Sequence, residues 1–220
     1  ENAARNVLRK IVANADSAKS MLETVGGANV STRLVTENVF MVTMLKEALI
    51  KAENPNQAKI QTIISEICSA TVLQAIITGG KVDDLLEVIT SAVEKYRAQA
   101  VLNDKALDIA NNLNEDVASK FFASKEIAAS LVSSEDALLV IAAKLPLLNI
   151  LAGFEGINPV LREIASKATT AKAMYLALAN GEVEESFFKN VELIEILTSA
   201  ARRGGVTTDN VKSVIQKAVL

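Results

Sequence analysis

Apolar residues in this chain come as adjacent pairs that return four residues later. Examples are Val7-Leu8 with Ile11-Val12, Val72-Leu73 with Ile76-Ile77, and Val160-Leu161 with Ile164-Ala165. Each set fills one stripe over two turns of helix, whereas a half-buried strand would alternate with period two. The pattern predicts an all-α fold. In the middle of the chain the first apolar residue of each set recurs every ten residues, at Val117, Ile127, Ala137 and Leu147, and then at thirteen, at Val160 and Ala173. The same motif appears less regularly at Val7, Met21, Met44, Ile63, Val72, Leu85, Ala106, Leu193 and Val214.

A ten-residue period is incompatible with one long helix. At 3.6 residues per turn the stripe would rotate by about 80° at every repeat and leave its partner. The helices are therefore expected to be short, and the sequence supplies corners between them. Pro146 and Pro159 stand just ahead of Leu147-Leu148 and Val160-Leu161, where proline fits a first helical turn. Ser133 and Ser134 precede Glu135 and Asp136, and Asn114 precedes Glu115 and Asp116, the order of a capping side chain followed by acids. Each decapeptide reads as two turns of helix and a corner, and the whole as stacked short helices in an irregular, solenoid-like repeat array. Leu138, Ile141, Leu148, Leu151, Leu161 and Ile164 are expected to form one buried apolar spine. A longer echo relates "TGGKVDDLLEVI" (78–89) to "ANGEVEESFFKN" (179–190), with Gly80 opposite Gly181 and Val82 opposite Val183. We divide the chain into an N-terminal helical half, 1–101, and a C-terminal half, 102–220, which holds the clearest decapeptides; the two could equally form one continuous domain.

Composition sharpens this picture. Half of the 220 residues are apolar but only 4% are aromatic, and Trp is absent, so the core is built from Ala, Val, Ile and Leu. The formal charge of −3 leaves no basic footprint for nucleic acid. The chain opens "ENAARNVLRK" without Met and ends on Val219-Leu220 without a polar cap. We read it as a fragment or a processed product, with apolar edges. No signal peptide is recognisable.

Candidate chemistry is sparse. His is absent, which removes the commonest general base and metal ligand, and the single Cys68 cannot form an internal disulfide. Cys68 is expected as a buried small hydrophobe. "TGGKVDD" (78–84) lacks the spacer and the hydroxyl of a phosphate loop, and a helix C-cap at Gly79-Gly80 with a new helix before Asp83 and Asp84 accounts for it. Glu182, Glu184 and Glu185 lack the grammar of a calcium loop and read as a solvated helix start. Arg202 and Arg203 fall at a helix end, either as partners of the helix dipole or as a contact for an anion or acidic partner. Tyr96, Phe121-Phe122 and Phe187-Phe188 read as core packing. Between Ala137 and Phe154 the only charge is Lys144, but Lys144, Pro146 and Asn149 in the middle favour two buried short helices over a membrane span. No catalytic, cofactor-binding or metal-binding residue is nominated, and the expectation is a non-enzymatic protein.

"SATVLQAIIT" (69–78), "NDKALDIANN" (103–112), "SSEDALLVIAA" (133–143) and "INPVLREIAS" (157–166) resemble the tandem decapeptides of some bacteriophage tail-fibre and tail-associated proteins. Ser69, Thr71, Val72, Leu73, Ile76 and Thr78 match that pattern, as do Asn158, Pro159, Val160, Leu161, Ile164, Ala165 and Ser166. The resemblance covers about half of the chain. It implies a structural or assembly role in a virion, with contacts to copies of itself or to neighbouring structural proteins, host-surface contact only through the parent protein, and no catalytic residue. The alternative is a cytoplasmic helical adaptor that binds a partner segment in a helix-lined groove.

Overall fold

The computed structural model describes residues 2–27, 29–189, 191–203 and 205–219, and all regular structure among them is helical. The chain forms two compact units, Glu1–Asn112 and Leu113–Leu220. In the first unit the helices are α1 (Asn2–Val12), α2 (Ala15–Val25), α3 (Val30–Glu37), α4 (Phe40–Lys51), α5 (Gln57–Ile67), α6 (Ala70–Thr78), α7 (Val82–Tyr96), α8 (Gln99–Asn103) and α9 (Ala106–Asn112). The second comprises α10 (Glu115–Ala123), α11 (Lys125–Val132), α12 (Glu135–Ala142), α13 (Leu145–Ala152), α14 (Pro159–Ser166), α15 (Ala168–Asn180), α16 (Ser186–Lys189), α17 (Val191–Arg202) and α18 (Thr208–Val219).

Packing inside each unit follows one rule: a helix lies on the third helix after it. In the first unit the columns are α1–α4–α7, α2–α5–α8 and α3–α6–α9. In the second they are α10–α13–α16, α11–α14–α17 and α12–α15–α18. The stacking unit is thus a turn of three helices, and each decapeptide is one side of that turn. Sequential stacking of this kind is the expected solenoid-like array.

The decapeptide block shows how sequence makes the sides. Helices α10, α11, α12 and α13 begin at Glu115, Lys125, Glu135 and Leu145, ten residues apart. In each, the third, fourth and seventh residues are buried: Val117, Ala118 and Phe121; Ile127, Ala128 and Leu131; Ala137, Leu138 and Ile141; Leu147, Leu148 and Leu151. Corners are closed by short side chains that accept from the new helix. Asn114 accepts from Val117 N–H, Ser124 from Ile127 N–H, and Ser134 from Ala137 N–H. Pro146 and Pro159 occupy first turns, as their fixed φ permits. The expected spine is buried throughout, with Leu138, Ile141, Leu148, Leu151, Leu161 and Ile164 at most 1% exposed.

Three expectations need correction. Val160 is buried but is the second residue of α14 rather than the third, and Ala173 lies in the middle of α15 and is only half-buried, because α15 begins at Ala168. Val7 is 58% exposed, because α1 packs on α2 and α4 and no element covers its other side among the described residues. The long echo is real in topology but shifted by one residue. α6 and α15 are the third helices of second turns, and each closes on a glycine pressed against the start of the first helix of its own turn. A Cβ at Gly79 would stand 2.6 Å from Val39 Cγ2, and one at Gly181 would collide with Leu145 Cδ2. Gly79, not Gly80, is therefore the counterpart of Gly181; Gly80 has open space and φ +66°.

Two charged side chains cap helix ends from neighbouring elements. Glu66 on α5 accepts from Asn29 N–H at 2.6 Å, Thr32 N–H at 2.9 Å and the Ser31 hydroxyl, at the start of α3. Lys217 on α18 donates to the carbonyls of Leu178, Ala179 and Gly181 at the end of α15. A carboxylate at a helix N-terminus and an ammonium at a C-terminus both complement the helix dipole.

Candidate docking cleft

The third turn of the second unit contains the four-residue α16 and two twelve-residue helices, α17 and α18. α17 seats on α14 and α15, α18 seats on α15, and few residues of α17 and α18 approach each other. Each carries more apolar surface than the helices beside it cover. On α17, Leu193, Leu197 and Ala200 are buried, whereas Val191 and Ile194 remain 70% and 46% exposed. On α18, Val214 is buried and Ile215 is 56% exposed. Between the helices lies an open cleft of about 380 Å³, lined by Tyr175 of α15, by Phe188, Ile194, Leu197, Thr198 and Ala201, and by Val211, Val214 and Ile215.

The only side-chain hydroxyls in that lining are already engaged. Tyr175 donates to the Leu197 carbonyl at 2.7 Å, and burial pushes the pKa of its phenol up. Thr198 donates to the Ile194 carbonyl at 2.8 Å within its own helix. What the cleft offers is apolar side chains at helical spacing. Small polar ligands are oriented by placed polar groups; an amphipathic helix is held by apolar anchors at i, i+3, i+4 and i+7. The cleft matches the second requirement.

Other polar features hold the fold together. Lys46 of α4 meets Asp84 of α7 at 2.5 Å, and the Thr43 hydroxyl donates to the same carboxylate at 2.6 Å. Its hydrogen bond with Asp84 raises the pKa of Lys46. Burial pushes Asp84 upward, but hydrogen bonds from Lys46 and Thr43 and the charges of Lys46 and Lys81 outweigh it, and the carboxyl titrates below its ordinary range. The groove beside this pair, about 390 Å³, has Lys46, Glu87, Glu94 and Lys95 in its walls and lacks the apolar character of the α17–α18 cleft.

Residues singled out in the sequence fall as follows. Arg202 ends α17 and Arg203 follows it, both exposed, so they are adjacent at a helix C-terminus as expected. Glu182, Glu184 and Glu185 are exposed ahead of α16. Gly79 caps α6, and α7 starts at Val82 with Asp83 and Asp84 in its first turn. Cys68 is fully buried, and burial pushes its thiol up to about 12. Phe121, Phe122 and Phe187 are core residues, but Phe188 is half-buried in the cleft lining and Tyr96 is half-buried. Among the described residues no cluster of three or more His, Cys, Asp or Glu could hold a metal ion. The stretch 137–154 is broken between α12 and α13. No single described helix is long and apolar enough to cross a membrane; the α5–α6 pair reaches the required length only with a 72° bend. The expected apolar edge at Val219-Leu220 lies outside the described side chains.

The cleft went unnoticed in the sequence because its residues carry the same signal as core. Leu193 and Val214 start apolar sets like those of α10 to α13, and nothing local marks Ile194 and Ile215 as uncovered. These features define all-α units of short, sequentially packed helices, with an open apolar cleft between α17 and α18 in the second unit. No family model, curated protein or solved structure matches the chain.

Proposed function

We propose that this chain is a non-enzymatic assembly module of a bacteriophage virion, a tail or fibre component that makes protein–protein contacts through helix faces. The observation that carries the reading is the open apolar cleft between α17 and α18 at one face of a helical stack. Exposed apolar surface of this kind marks interaction sites. The decapeptide resemblance supplies the virion context. A cellular adaptor that binds a partner helix would use the same cleft, so the two readings separate by where the chain is found.

Quantitative mass spectrometry of particles purified from the chain's source tests the reading. A fixed copy number per particle is expected. Ile194→Asp with Ile215→Asp should abolish incorporation while leaving the helical circular dichroism unchanged, since both side chains are exposed. Absence of the wild-type chain from particles, or unimpaired incorporation of the double variant, would overturn it.

A further inference from the structure

We propose that Asn180–Gly181 is a self-modification site, at which Asn180 converts through a cyclic imide to aspartate and isoaspartate, and that the conversion loosens α18 from α15. The inference is independent of what the α17–α18 cleft binds. Asn180 is the only asparagine of the chain that precedes glycine. It is the last residue of α15 and is exposed, at the edge of an open groove of about 460 Å³ beside Leu145, Leu176 and Ala177. Among the described residues its side-chain amide has no hydrogen-bond partner, and neither has the N–H of Gly181. The electrophile, Asn180 Cγ, is therefore free to turn, and the nucleophile, Gly181 N, is not committed to a carbonyl. Packing keeps the second residue small, since a Cβ at Gly181 would collide with Leu145 Cδ2. Without a Cβ, no side chain obstructs the approach of Gly181 N to Asn180 Cγ.

The chemistry needs only water. Gly181 N loses its proton to hydroxide and attacks Asn180 Cγ. The new N–C bond closes the imide ring, and the side-chain nitrogen takes up a proton and leaves as ammonia. Water then adds to either imide carbonyl and breaks its bond to nitrogen, giving aspartate or isoaspartate, with a net uptake of water and release of ammonia. Both products put a carboxylate at the C-terminus of α15, where the helix dipole disfavours negative charge. Isoaspartate also inserts a methylene into the backbone between the Ala179 and Gly181 carbonyls. Lys217 of α18 donates to both of these and to the Leu178 carbonyl, and Ser213 donates to the Ala179 carbonyl. Of the described side chains on α18, Val214 alone is buried, so these bonds are a large part of what holds the helix. Lengthening the turn takes the Gly181 carbonyl out of the set that Lys217 caps.

Peptide mass mapping of the full chain, incubated in mildly alkaline buffer with and without urea, tests the site. The peptide that contains Asn180 should change mass from amide to acid and split into aspartyl and isoaspartyl forms, faster as pH rises, and it should do so without urea. Asn6 and Asn210 are internal controls, since each precedes a valine whose β-branched side chain crowds the attacking nitrogen. Conversion at Asn180 should be about tenfold or more faster than at either control. Asn180→Gln, which would need a larger ring, should keep the helical circular dichroism and resist conversion. After identical incubation, amides of α18 should exchange faster in the wild type than in Asn180→Gln. Conversion at Asn180 no faster than at Asn6 or Asn210, or confined to urea, would overturn the site. Equal exchange of α18 in converted wild type and Asn180→Gln would overturn its release.

Discussion

Asn158 donates its side-chain amide to the Phe122 carbonyl at 3.1 Å while its Oδ1 accepts from Val160 N–H at 3.0 Å. One buried side chain thus caps the start of α14 and satisfies the end of α10, in the neighbouring column of the preceding turn. Asn158→Ala removes both bonds and leaves a carbonyl and an N–H without this partner, at a cost of about 2–3 kcal/mol. Asn158→Asp keeps the cap acceptor but turns a carboxylate oxygen towards the Phe122 carbonyl, so it should be at least as destabilising at neutral pH. Urea unfolding of both variants checks the ranking; a wild-type midpoint for Asn158→Asp would refute the role of the amide donor.

Leu161 and Ile141 are fully buried in the stacked columns of the second unit. Truncation of either to Ala should cost about 2–5 kcal/mol. Leu139, 36% exposed on the same helix as Ile141, is the internal control. Leu139→Ala should stay within about 1 kcal/mol of wild type. Thermal denaturation that ranks Leu139→Ala beside Ile141→Ala would remove the assignment of faces.

The Lys46–Asp84 pair predicts a plateau of stability with two edges. The carboxyl of Asp84 is held below its ordinary range, so its contribution is complete above the unfolded carboxylate pKa of about 4 and disappears as pH falls through the lower folded value. Lys46 is raised, so its contribution is complete below about 10 and disappears as pH rises through the higher folded value. Asp84→Asn should cost about 1–2 kcal/mol at neutral pH. The gap to wild type should close in strong acid. A gap that stays constant down to about pH 2, well below the unfolded carboxylate pKa, would show that the pair is not responsible.

Gly26 passes so close to α5 that a Cβ would stand 2.6 Å from the Lys59 carbonyl oxygen and 2.9 Å from its carbon. Backbone cannot swing aside as a leucine end can. Gly26→Ala should therefore cost about 1–3 kcal/mol and exceed the cost of Gly181→Ala, where the obstacle is the Leu145 side chain. Gly153→Ala, with nothing closer than 3.5 Å, should be nearly neutral. Equal melting temperatures for the three variants would contradict this order.

Helices, corners and buried faces were legible in the sequence because their causes are local. The pairs at Val117-Ala118 and Phe121-Phe122 select a helical face within two turns, and Asn114, Ser134, Pro146 and Pro159 act within three residues of the ends they set. The loop between α13 and α14, where the ten-residue step fails, is also local: Gly156 takes φ +80° there and the chain needs extra residues to turn. Only the tertiary structure decided which helix lies on which. The pairing of each helix with the third one after it depends on three successive corners closing a turn, and no single corner encodes that sum. The same limit hid the cleft. Val7, Ile194 and Ile215 sit in apolar patterns like that of Ile127, yet Ile127 is buried and they are not. An apolar stripe says that a face needs covering; whether a neighbouring helix covers it is a property of the stack.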